Sequence, residues 1–208
     1  MFRDRQDAGK QLAEALAQLD LPDPVVLALP RGGVPVALPI ARRLNAPLDL
    51  LLVRKIGVPG NAELAAGAVV EGAEPVFNAD VLRSFGLTEA RLADAVESKR
   101  AEIAARRRLW LGARAPVPRA GKTLIVVDDG IATGATMRAA LSGLVGAEPA
   151  AIVLAVPVAP PETLAALEAL CTSAVCLETP AFFGAVGAHY ARFDQVADAA
   201  VAEMIGAA

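Results

Sequence analysis

Leu124-Ile125-Val126-Val127-Asp128-Asp129-Gly130-Ile131-Ala132-Thr133-Gly134-Ala135-Thr136 is the stretch on which the fold and the chemistry of this chain turn. Leu124 to Val127, apolar and mostly β-branched, have the length and composition of a strand buried on both faces. The strand ends on a pair of carboxylates, Asp128 and Asp129. A turn of small and hydroxylated residues follows, with Gly130, Ala132, Thr133, Gly134, Ala135 and Thr136, and a helix is expected over about 135–145. Strand, small-residue turn and helix together make an anion site. Backbone N–H groups at the helix start point outward, and the helix dipole favours negative charge. Carboxylates beside a phosphate cradle would repel the ligand unless they bind another part of it, such as sugar hydroxyls or a metal ion. A molecule with a phosphate at one end, a ribose beside it and a magnesium ion nearby satisfies both halves.

The same rhythm extends outward in both directions. Residues 25–29 read as a buried strand that runs into Pro30-Arg31-Gly32-Gly33, with a helix expected over 34–44 and a strand over 48–53. After the central motif come a strand at 151–156, a helix at about 161–170 and a strand at 174–177. An amphipathic helix over 4–19, with Leu12, Leu16 and Leu19 on one face, opens the chain, and a helix over about 195–205 ends it. Alternation of this kind predicts an α/β fold, a three-layer α/β/α sandwich with a mostly parallel sheet, whose ligands bind at the carboxyl ends of the strands. Residues of about 57–119 interrupt the rhythm with short strands at 68–70 and 75–77 and a long helix at about 88–111. They are expected to form a small lid or hood lobe within a single domain spanning 1–208.

Composition narrows the class. The 208 residues are 55% hydrophobic and 21% charged, which excludes a disordered or fibrous chain. A net charge of −3 argues against a generally nucleic-acid-binding surface. No apolar run approaches the roughly 18 residues of a membrane helix, and the charged start lacks the apolar core of a signal peptide. A soluble cytoplasmic protein is expected. Cys171, Cys176 and the lone His189 are too few for zinc, and buried free thiols are the expected state of the cysteines.

The run 124–136 resembles the phosphoribosyl pyrophosphate (PRPP) motif of the type I phosphoribosyltransferases: four hydrophobic residues, two acidic, three variable, then Thr-Gly-x-Thr. The resemblance implies that Asp128 and Asp129 hold the ribose hydroxyls and magnesium, and that the loop from Gly130 through Ala132, Thr133, Gly134, Ala135 and Thr136 wraps the 5′-phosphate. Pro30-Arg31-Gly32-Gly33 matches the loop that grips pyrophosphate in that family, so Arg31, Gly32 and Gly33 are carried over to pyrophosphate; the family loop often holds a cis non-proline peptide. A basic residue at a comparable place after the second strand implicates Lys55 rather than its neighbour Arg54, since adjacent residues on an extended chain point opposite ways. The glycine- and proline-bearing segment 54–67 is expected to be a mobile loop that closes over PRPP.

The implied activity is a glycosyltransferase of the pentosyl type, which uses PRPP and magnesium to transfer phosphoribose to a nucleobase or related nitrogen and releases pyrophosphate. The expected partners are PRPP and a nucleobase-like small molecule, with a homodimer open, and without membrane or nucleic acid. Base recognition is expected from 179–193, where most of the sparse aromatics lie, with Phe183 as the stacking candidate. One position departs from the hypoxanthine–guanine relatives, which place an aspartate three residues beyond the acidic pair; here it is Ala132. That disfavours their proton-transfer chemistry and leaves adenine-like, orotate-like or non-nucleobase acceptors. The alternative reading is a PRPP- or nucleotide-sensing regulator without turnover. Gly121-Lys122-Thr123 imitates the end of a P-loop, but Pro116 stands where its first glycine belongs. Arg106-Arg107-Arg108 reads as a solvated helical face.

Overall fold

The computed structural model describes residues 1–206. The chain begins with α1 (Arg5–Leu16), β1 (Pro24–Ala28), α2 (Gly33–Leu44) and β2 (Leu48–Leu50). An antiparallel excursion follows, with β3 (Val53–Val58), β4 (Asn61–Val70), β5 (Val76–Phe77), α3 (Ala79–Ser84) and the long α4 (Ala93–Leu111). The βα rhythm then resumes through β6 (Thr123–Val127), α5 (Ala135–Leu144), β7 (Ala151–Val158), α6 (Pro161–Glu168), β8 (Ser173–Glu178) and α7 (Asp198–Gly206).

Five strands pair in the order β2-β1-β6-β7-β8, all parallel. Side chains of a strand alternate between faces, and the core divides accordingly. Val26, Ala28, Ile125, Val127, Val153 and Ala155 pack with α1, α2, α4 and α7. Val25, Leu27, Leu124, Val126, Leu154 and Val156 pack with α5 and α6 on the other side. This is the three-layer α/β/α arrangement read from the sequence. The register aligns Ala28 with Val127, and Val127 with Ala155, so the carboxyl ends of the central strands finish level.

The small lobe is real but differs from its expected form. It starts at Val53, not 57, and carries its own three-stranded antiparallel sheet, β3-β4-β5. Segment 54–67, expected as a loop, is most of a β-hairpin whose turn is Pro59-Gly60. The other glycines that suggested a loop are ladder residues. A side chain at Gly67 would begin 2.5 Å from the Val76 carbonyl oxygen, so glycine there permits β5 to pack closely and does not mark a turn. The strand expected at 68–70 is the end of this ten-residue β4.

Alternation along β3 separates its two cations as expected. Arg54 reaches back to Glu102 of α4 at 2.6 Å, while the Lys55 ammonium donates to the Glu63 carbonyl at 3.1 Å. The arginine triplet on α4 is a solvated face only in part: Arg108 is exposed, and the other two are paired. Arg106 pairs with Asp198 at 3.1 Å, and the Arg107 side chain, only 12% exposed, is forked between Asp49 and Glu71. Near the N-terminus, Leu12 and Leu16 are buried as read, but α1 stops at Leu16 and leaves Leu19 exposed. Both cysteines are free and half-buried, and burial pushes their thiols up. Among the described residues no helix is long and apolar enough to cross a membrane.

Candidate active site

Because β1 and β6 are neighbours with level ends, the turn after β1 and the acidic pair after β6 meet. The contact is close: a side-chain carbon at position 32 would lie 2.0 Å from Asp129 Oδ2, and one at position 33 would lie 2.7 Å from the Val127 carbonyl oxygen. Only glycine lets the turn sit against the carboxylate. The Pro30–Arg31 peptide in this turn is cis. Gly33 opens α2 and Ala135 opens α5, so two helix N-termini lie on either side of the carboxylates.

The carboxylates differ in their surroundings. Arg5 of α1 donates from Nε to Asp129 Oδ2 at 2.7 Å, with the two side chains only 12% and 15% exposed. The Arg5 guanidinium also lies 3.8 Å above the Phe193 ring and donates to the Asp194 carbonyl at 2.7 Å. The Tyr190 hydroxyl donates to the Asp129 carbonyl oxygen, and burial, followed by the nearby Asp129 charge, drives its phenol above the ordinary range. Asp128 accepts from the Asp129 backbone N–H at 2.8 Å. Burial first, and the adjacent Asp129 carboxylate second, push the Asp128 carboxyl well above the usual carboxylate range. A cation would relieve that charge. The donor chemistry suits magnesium, which is characteristically held by one or two carboxylates together with substrate phosphates. No cluster of three or more metal-ligating side chains occurs among the described residues.

On the far side of the acidic pair, Thr133 and Thr136 are exposed at the start of α5. They line a cleft of about 550 Å3 whose other wall is the hairpin and β5, with Lys55, Ala65, Gly67 and Phe77. Lys55 is therefore brought to the same cleft as Thr133 and Thr136, while Arg54 is not. Arg138 borders this cleft too, and has no ion-pair partner among the described residues. Ala132 is exposed, and its carbonyl accepts from Thr163 Oγ1 at 3.1 Å.

Arg31 does not lie on the carboxylates. Its Nη1 is 3.7 Å from Asp198 Oδ1 at the start of α7, on a carboxylate it shares with Arg106 and with Trp110 Nε1 at 3.2 Å. Phe183 stacks on His189, with centroids 5.4 Å apart and planes inclined by 19°. His189 Nδ1 in turn lies 3.4 Å from Glu178 Oε2. The segment holding both residues closes over the strand ends, with Val186 packed directly on Gly130. The first residues of the chain bind this cover: the Phe2 N–H donates to the His189 carbonyl at 2.8 Å, and the Ala191 N–H donates to the Phe2 carbonyl at 2.8 Å. Arg5, Arg138 and Tyr190 are the site residues that the sequence reading missed. Arg138 had a signal, two residues beyond the Thr-Gly-Ala-Thr run at the head of a helix. Arg5 had none, standing 124 residues from its partner.

A family model described as the phosphoribosyl transferase domain matches residues 3–192. A Mycobacterium tuberculosis protein provisionally named a phosphoribosyl transferase, in strains CDC 1551 and H37Rv, is 47% identical over 199 residues. That match takes in 95% of this chain and 45% of the relative, so the chain spans about half the length of the curated relatives it matches. The crystal structure of TT1426 from Thermus thermophilus is 47% identical and superposes with a TM-score of 0.83, covering 98% of this chain and 97% of that one.

Proposed function

We propose that this chain, which belongs to the phosphoribosyl transferase domain family, binds PRPP with magnesium and transfers its phosphoribosyl group to a nitrogenous acceptor. The observation that carries the reading is the acidic pair flanked by two helix N-termini. PRPP is an anion at both ends with a polyhydroxylated ring between. The α5 turn, with Thr133 and Thr136, suits the 5′-phosphate. The Arg31–Gly33 turn at the head of α2 suits pyrophosphate. Asp128 and Asp129, between them, suit the ribose hydroxyls and the cation.

In this reading the bond from the anomeric carbon to the pyrophosphate oxygen breaks, and the oxygen keeps the electron pair. The acceptor nitrogen forms the new bond to that carbon and gives up its proton to solvent. Positive charge develops on the sugar as the bond breaks, and the Asp128 and Asp129 carboxylates stand where they can stabilise it. Magnesium, when bound, neutralises charge on the departing pyrophosphate. The cover over the strand ends, built from residues 179–193 and the first residues of the chain, supports an acceptor pocket there, with Phe183 as one wall. Phe183 would have to exchange its stacking on His189 for stacking on a planar base.

The test is pyrophosphate release from PRPP and magnesium, measured across a panel of nucleobases and amines. Release that depends on one acceptor supports transfer. Release without any acceptor would make the protein a hydrolase, and tight PRPP binding with no release on any acceptor would make it a sensor.

Arg31→Ala separates the two anion sites. A charge-assisted contact is worth about 1.5–3 kcal/mol, so PRPP affinity is expected to fall by roughly one to two powers of ten. Arg31 must leave Asp198 to make that contact, and their 3.7 Å separation makes this a weak restraint. Ribose 5-phosphate lacks pyrophosphate and should bind the variant unchanged. Equal losses for both ligands in calorimetry would withdraw the pyrophosphate assignment.

A further inference from the structure

Arg5 is the feature of this site that the proposed reaction does not yet use. It comes from α1, whose start is fixed by Asp4: the Asp4 carboxylate accepts from the Asp7 N–H at 3.0 Å and pairs with Arg192. Three groups then fix the guanidinium. Asp129 Oδ2 takes its Nε–H, the Asp194 carbonyl takes an Nη1–H, and the Phe193 ring covers one face. Phe193 itself packs on Tyr190 with ring centroids 4.9 Å apart, and Tyr190 donates to the Asp129 carbonyl. Side chain and backbone of Asp129 are thus held by one connected cluster drawn from both ends of the chain. The Asp129 oxygen taken by Arg5 is the same oxygen that lies against Gly32.

We infer that Arg5 is a positioning residue that acts through Asp129: it stands in for a cation at the acidic pair, so that a divalent ion is held there only when the sugar diphosphate brings it. The inference rests on the reading of Asp128 and Asp129 as the cation- and ribose-binding pair. With Arg5 in place, one carboxylate is already matched to a fixed positive charge at hydrogen-bond distance. A bare divalent ion would meet only Asp128, which already accepts the Asp129 N–H, and a neighbouring guanidinium that repels it. The same ion carried on a pyrophosphate arrives with several phosphate oxygens as ligands and a net negative charge that Arg5 attracts. The pairing also aims Asp129 before the ligand arrives, which limits the ordering cost of binding.

The experiment uses Mn2+ as the probe, titrated by electron paramagnetic resonance into the full chain with no PRPP present. Arg5→Gln removes the charge but keeps a planar donor, and should bind Mn2+ at least tenfold more tightly than the unmodified protein. Arg5→Lys keeps the charge and should bind Mn2+ within about threefold of it. PRPP affinity in the presence of magnesium should move the opposite way, weaker in Arg5→Gln and largely restored in Arg5→Lys. A merely structural arginine would weaken both ligands together. In an Asp129→Asn background the Mn2+ effect of Arg5→Gln should vanish, since a residue acting through Asp129 has nothing left to act on. Unchanged or weaker Mn2+ binding in a folded Arg5→Gln, or Arg5→Lys behaving like Arg5→Gln, overturns the inference. The Mn2+ arms do not depend on what the ligand is. Failure of PRPP to bind the unmodified protein would sink the proposed function while leaving the Arg5 result to stand on its own.

Discussion

Replacing Asp128 and Asp129 together by asparagine is expected to remove magnesium-dependent PRPP binding almost completely. Each carboxylate offers charge-assisted bonds worth about 1.5–3 kcal/mol. Loss of both predicts a drop in affinity of roughly two to four powers of ten, read by calorimetry with magnesium at saturation. Asparagine is a better choice than alanine because of Arg5. Asp129→Ala would leave a guanidinium that is only 12% exposed without its partner, and a stranded charge is costly whatever the ligand does. Asparagine keeps an oxygen able to accept from Arg5 Nε. Asp128→Asn costs less, because burial already pushes that carboxyl toward its neutral form. Ribose 5-phosphate, which on the proposed reading keeps its contact at the α5 turn and loses only ribose-hydroxyl bonds to the pair, should weaken far less than PRPP in the double variant. PRPP affinity unchanged in a folded double variant would remove the acidic pair from the site.

The central motif was legible because everything it needs is contiguous. Strand, carboxylates, turn and helix start occupy 124–136, and local rules alone link them. The turn at 30–33 was legible for the same reason, and the parallel register then joined the two without any long-range reading. The hairpin at 53–70 was misread because its glycines look the same in sequence whether they turn the chain or admit a neighbouring strand. Gly60 belongs to the turn, and Gly67 lies under β5. Arg5 and Arg107 were illegible for a different reason. A cation's partner is set by the tertiary fold, and neither Asp129 for Arg5 nor Asp49 for Arg107 lies within a helical turn of it. The arginine triplet had Glu102 and Glu97 close in sequence, which favoured a solvated face. In the structure Glu102 is taken by Arg54 and Lys99, and Arg107 turns inward.

That inward turn gives the largest stability effect expected outside the site. Arg107 donates to Asp49 Oδ1 and Oδ2 at 3.0 and 3.2 Å, and to Glu71 Oε1 at 3.0 Å. Asp49 is fully buried in β2, and Glu71 follows β4, so this one guanidinium joins the parallel sheet to the small sheet. Asp49 keeps two backbone donors without Arg107, the Leu50 and Val117 N–H groups. Glu71 keeps the nearby charge of Arg119, which donates to its backbone carbonyl at 2.8 Å, but its Oε2 is buried without a hydrogen-bond partner and burial pushes its carboxyl up. Removing one member of a buried ion cluster typically costs about 3–5 kcal/mol, against a total stability of about 5–15 kcal/mol for an ordinary domain. Arg107→Ala should therefore lower the urea midpoint severely. Arg107→Lys should lie between, because a single ammonium cannot serve both carboxylates in the geometry of the planar fork. Adding Glu71→Gln to Arg107→Ala should recover part of the loss by removing one of the stranded charges. That recovery distinguishes a charge left without a partner from a simple packing defect, which glutamine would not repair. A loss of under about 1 kcal/mol in Arg107→Ala would be the value of a surface pair, and would show that water reaches the cluster.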